Sequence, residues 1–157
     1  MKRSGPIQRT AMKPYRPTVT TAERNARDLV RARSGGWCEV RLPDICLGRA
    51  ANMHHRKNRS QGGHGDAANL VDLCGSGTTG CHGALTDTQG QRAEYEAHGW
   101  IVPREQEPAE VPVLLHNATT GHEWVLLDDQ GDVAFAPFPE PASGDPFELP
   151  VPPSTAA

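Results

Sequence analysis

The chain has 157 residues, room for one modest domain and too few for two full ones. Only 36% of residues are hydrophobic and 5% aromatic, so a single apolar core is thin and gains from a metal or another cross-link. No apolar run reaches membrane-spanning length, and the basic opening MKRSGPIQRTAMKPYRP is not followed by the apolar stretch of a signal peptide. A cytoplasmic protein with no membrane partner is expected, its thiols kept reduced.

The net charge of −3 conceals an asymmetry, because 14 of the 16 Lys and Arg lie at or before Arg59 while 15 of the 19 acids lie beyond it. The two parts carry +10 and −13. A basic part points to a polyanion, most simply nucleic acid; a solvated charged surface is the plain alternative.

Residues 1–19 are basic, proline-containing and without apolar periodicity, which predicts a flexible arm. From Thr20 or Thr21 the spacing predicts a helix with Ala22, Ala26, Leu29 and Val30 as its apolar stripe, stopped by Gly35 and Gly36. Arg24, Arg27 and Arg31 occupy the other face, either solvating the helix or facing DNA phosphates. Trp37–Ala50 reads as a loop or short hairpin, Ala50–Arg56 as a strand, Lys57–Ala68 as a glycine-containing loop, and Asn69–Leu73 as a second strand. A helical turn after Cys81 and a helix from about Thr88 to His98, ended by Gly99, follow. Its weakly apolar face combines Ala93, Tyr95 or Glu96, Ala97 and Trp100.

Beyond Trp100 the composition shifts toward proline. Val111–Leu115, Glu123–Leu127 and Val133–Phe135 suit a small antiparallel meander, and the residues from Pro137 onward suit a disordered tail. The expected organisation is an arm at 1–19, a domain at 20–102, a β extension at 103–136 and a tail at 137–157, α+β in class.

Cys38 and Cys46 form one pair and Cys74 and Cys81 another, both in turn-rich segments flanking the two expected strands. Neither has the tight C-x2-C spacing. Four thiolates converging on Zn(II) would tie the helical start of the chain to the strands, against the alternative of four small buried hydrophobes. His54 and His55, adjacent on a strand, point to opposite faces, so one can hold a metal while the other acts on a substrate. His82 follows a cysteine at a helix start, where it can turn back toward the strands.

The succession HH, RKNRSQGG, NLVDLC and CHG resembles the HNH endonuclease family, and the resemblance covers about Trp37 to Trp100. It implies a ββα-metal core of two short strands and a helix around one divalent cation. It further implies that His54 and His82 are ligands of a catalytic Mg(II), Mn(II) or Ni(II), that His55 is the general base, and that Asn69 pins the loop and orients the base. The four cysteines resemble the structural zinc site of many members, and the helix followed by Gly99-Trp100 resembles variants encoded near packaging genes of tailed bacteriophages. Many relatives carry another histidine four residues after the position of His82; here Thr86 stands there, with Asp87 next as a substitute ligand.

The implied chemistry is hydrolysis of DNA phosphodiesters to 5′-phosphate and 3′-hydroxyl ends, with a neutral His55 taking a proton from water. Arg56, Lys57 and Arg59 lie beside the base and are candidate phosphate contacts, or else a solvated loop. A monomer acting on DNA, with phage terminase subunits as a further partner, is the leading expectation. A non-catalytic zinc-stabilised DNA-binding module and an adaptor of the packaging motor are the rivals.

Overall fold

The first element, α1 (Thr21–Ser34), begins where Thr20 accepts the Glu23 amide on its side chain at 3.1 Å and ends at Gly35 in the left-handed conformation, φ 57°. The computed structural model describes residues 19–137; the expected arm and tail lie outside them, apart from their innermost residues. The buried stripe of α1 is Glu23, Ala26 and Val30, while Ala22 and Leu29 are exposed. A carboxylate therefore replaces an alanine on the face expected to be apolar.

The chain then folds back through an isolated bridge between Trp37 and Arg49 and enters an antiparallel hairpin. Strand β1 (Asn52–His55) pairs with β2 (Leu70–Leu73), with His54 opposite Val71 and His55 opposite Leu70. Both strands are shorter than the sequence suggested, and Arg56 and Asn69 lie outside them. The connection is folded locally into two 3-10 turns, Arg59–Gln61 and Ala67–Asn69.

Helix α2 (Gly80–Thr86) starts just before Cys81 and runs a full seven residues. Helix α3 (Arg92–Ala97) is shorter than the expected 88–98. Tyr95 and Trp100 are buried there, while Ala93 and Ala97 face outward. A three-stranded antiparallel sheet follows, β3 (Val113–Asn117), β4 (Gly121–Leu127) and β5 (Val133–Phe135), in the order β3-β4-β5. The fold is mixed α+β with two small antiparallel sheets.

Two apolar clusters hold these parts together. Ala26 and Val30 of α1 pack on Ala67 and Leu70. The larger cluster joins Val40 and Leu42, Val71 and Leu73, Leu85, Tyr95, Trp100 and Ile101 to Val113, Leu115, Val125 and Leu127 of the second sheet. That sheet shares the main core, and removing its apolar face from water at roughly 25 cal/mol per Å² contributes directly to the stability of the hairpin. Among the described residues no helix is long and apolar enough to cross a membrane.

Candidate functional site

The four cysteines meet in one place, their sulfurs all within 4.8 Å of one another. Cys38 and Cys46 come from the folded-back segment, Cys74 directly follows β2, and Cys81 lies in the first turn of α2. All four are free thiols. Backbone amides point at the sulfurs: Leu47 donates to Cys74 Sγ at 3.2 Å, Gly48 to Cys46 Sγ at 3.3 Å, and Leu42 to Cys81 Sγ at 3.4 Å. Such donors favour thiolates. A hydrogen bond from Cys81 holds the Cys38 thiol down to about 4, and the same bond, with burial, pushes Cys81 up. Four sulfurs this close together could hold a structural metal ion, consistent with zinc.

His54 and His82 face each other edge to face, with ring centroids 5.6 Å apart. His54 is buried, and its Nε2 is buried without a hydrogen-bond partner. His82 Nδ1 lies 3.1 Å from the Ser76 carbonyl oxygen. An imidazole held at Nδ1 by a carbonyl, as His82 is, keeps its Nε2 lone pair, the arrangement seen in metal-ligating histidines. Burial, followed by the neighbouring His82 and His55, lowers His54 to about 3, so it stays neutral.

Thr86 does not replace a third imidazole. Its hydroxyl donates to the His82 carbonyl at 2.7 Å and lies 3.4 Å from His82 Nδ1, bracing that residue one turn back. Asp87 is the exposed C-terminal cap of α2. Among the described residues the four cysteines are the group of three or more ligating side chains that converges, so Asp87 is not gathered with His54 and His82.

His55 turns to the opposite face of β1, as alternation requires, toward α1. Arg59 Nε donates to His55 Nε2 at 3.3 Å, and Arg59 Nη2 is bound to the Glu23 carboxylate. Glu23 also accepts from Arg27 Nη2 at 2.6 Å. Burial lowers the His55 pKa, and the Arg59 cation adds to it. The loop closes this tightly on α1 because residue 65 is glycine: a Cβ there would come within 2.5 Å of Glu23 Cγ. Sequence reasoning missed Glu23 as a part of the site. Its signal was an acid at helical spacing with the buried Ala26 and Val30.

Asn69 pins the loop from both ends. Its Oδ1 accepts from the Lys57 amide at 2.6 Å, and its Nδ2 donates to the carbonyls of Lys57 at 3.1 Å and His64 at 2.7 Å. The amide is thus committed to the segment that follows His55. Asn69 is a positioning residue.

The expected phosphate contacts separate sharply. Arg56 is fully buried, and its guanidinium donates to the carbonyls of Gly99, Ala68, Pro108 and Val111 at 2.7 to 3.1 Å. Burial lowers its pKa to about 9, which leaves it a cation at neutral pH. Lys57 is also buried, with Nζ 2.9 Å from both the Gln106 carbonyl and Glu107 Oε1. These two are internal fasteners in this structure and not surface phosphate contacts. Each carries a charge whose burial is affordable only because carbonyl or carboxylate oxygens surround it. Arg31 pairs with buried Asp72 at 3.2 Å and Arg27 with Glu23. Arg24, exposed and bonded to the Val19 carbonyl, and Arg31 and Arg59, each about half exposed beside its carboxylate partner, remain within reach of a ligand. No family model matches the chain, and no curated protein or solved structure gives a match.

Proposed function

We propose that the chain is a metal-dependent DNA endonuclease of HNH type, with β1, β2 and α2 as its ββα-metal core and the four cysteines as its zinc staple. The observation that carries this reading is the pair His54 and His82, facing each other, with the His54 Nε2 buried and without a partner and His82 Nδ1 beside the Ser76 carbonyl. A buried Nε2 without a partner costs about 1–3 kcal/mol unless something takes its lone pair, and a divalent cation is the ligand that suits two neutral imidazoles.

His54 and His82 would hold that cation, which when bound supplies charge stabilisation at the scissile phosphate and the leaving oxygen. His55, neutral and on the opposite face of β1, takes a proton from water as the oxygen attacks phosphorus and the P–O3′ bond breaks. Asn69 keeps the loop after His55 closed, and Arg59 brings a guanidinium to the same place. Weak protein ligation, two imidazoles in place of three, favours a cation that is completed by water and phosphate oxygens.

The test is supercoiled plasmid incubated with the zinc-loaded protein and Mg(II), Mn(II) or Ni(II). Nicking by the wild type and none by His55→Ala, with equal zinc content and equal far-UV dichroism, is the expected result. A protein that binds the plasmid but nicks it with none of the three cations is a binding module.

A further inference from the structure

The contact between α1 and the loop after His55 is one that neither zinc binding nor imidazole ligation explains. A single buried carboxylate, Glu23, serves two guanidiniums, Arg27 and Arg59. The trio retains one positive charge, beside His55, at the edge of an open cavity of about 420 Å³ whose walls include Thr20, Glu23, Arg59, His64 and Asp66. The carboxylate is anchored, with 9% of its side chain exposed, whereas Arg59 is 49% exposed. Arg59 is therefore the partner free to move. In the present arrangement its Nε–H occupies His55 Nε2, and a nitrogen that accepts from a guanidinium has no lone pair left for water.

We infer that Glu23 is a positioning residue, holding the Arg59 guanidinium over His55 until a DNA phosphate takes that guanidinium in exchange. A phosphate diester offers the same paired oxygens as a carboxylate and matches the planar guanidinium equally well. Its arrival draws Arg59 outward, anchors the strand next to His55 and uncovers the ring nitrogen in one movement. Glu23 acts through Arg59 and touches no substrate. The inference rests on the nuclease reading, since it assigns the uncovered nitrogen its use.

The exchange is measured by binding alone, with zinc-loaded protein, a short fluorescent DNA duplex and no added divalent cation. Removing the competing carboxylate in Glu23→Gln should tighten binding about 3- to 10-fold. Arg59→Gln should weaken it and make the plot of log affinity against log salt shallower by about 0.9, one phosphate contact. The double variant should match Arg59→Gln alone, while the gain from Glu23→Gln should persist in an Arg27→Gln background. A gain that survives without Arg59 is mere charge removal and overturns the inference, as does a folded Glu23→Gln without any gain. Should Glu23→Gln not fold, Glu23→Asp, whose carboxylate is withdrawn by one methylene, must show a smaller gain in the same direction, and its absence is equally fatal. A plasmid left intact by a protein that shows this binding pattern strikes the nuclease reading and leaves the exchange standing. The converse result strikes only the exchange.

Discussion

The His54 ring meets the His82 ring edge to face although one lies on a strand and the other on a helix, and the Ser76 carbonyl lies 3.1 Å from His82 Nδ1. Replacing either imidazole by an amide removes a lone pair that the proposed cation needs while keeping the side chain polar. His54→Gln and His82→Gln should each lower plasmid nicking on the order of 100- to 1000-fold and raise the Mn(II) concentration for half-maximal rate. Equal metal dependence in variant and wild type would remove these residues from the ligand set.

Acid should weaken the fold partly through His54. Its pKa falls from the ordinary 6.5 to about 3 on folding, chiefly through burial. The unfolded chain therefore binds a proton as pH drops through 6.5, and the folded chain does not until about 3. His54 thus contributes stability that is fully present above pH 6.5 and is lost as pH falls toward 3, about 2 kcal/mol of it between pH 6.5 and 5. Urea melts at pH 7 and pH 5 of wild type and His54→Gln isolate this share, since the variant should lose correspondingly less.

Zinc removal should unfold the protein and not merely silence it. The four sulfurs join the segment before β1 to the segment after β2, so the metal closes a loop that contains both adjacent histidines. Cys74→Ser should lower the zinc content from one per chain to a small fraction and abolish the cooperative thermal transition at neutral pH. A sharp melt in the zinc-free protein would show that the apolar clusters suffice.

Arg56 answers to stability. Arg56→Ala leaves four carbonyls without their donor and should cost about 3 kcal/mol or more. Arg56→Lys should recover only part of this, because a point charge cannot span four acceptors. The DNA affinity of the folded fraction should be unchanged; a loss confined to affinity would restore Arg56 to the DNA-facing surface.

The order of elements was legible in the sequence because caps and breakers mark them: Thr20, Gly35 and Gly99. The cysteine grouping was legible from position in turn-rich segments, and the opposed faces of His54 and His55 from strand alternation. What the sequence concealed was the assignment of charges. Arg56, Lys57 and Arg59 are near neighbours in a basic run, yet two point inward and one outward. Only the placement of carbonyls in the 99–111 region decides that. Glu23 was concealed for the same reason, since its partner Arg59 lies on a loop whose path depends on Asn69 and Gly65.

Arg56 also orders events in time. It follows His55 directly, yet its four acceptors lie at Ala68, Gly99, Pro108 and Val111, all downstream. The ribosome delivers the two histidines long before it delivers the carbonyls that fix the strand carrying them. A nascent chain ending short of Pro108 holds an arginine with half its acceptors missing. The segment after His55 is therefore fastened only once the 99–111 region has been made.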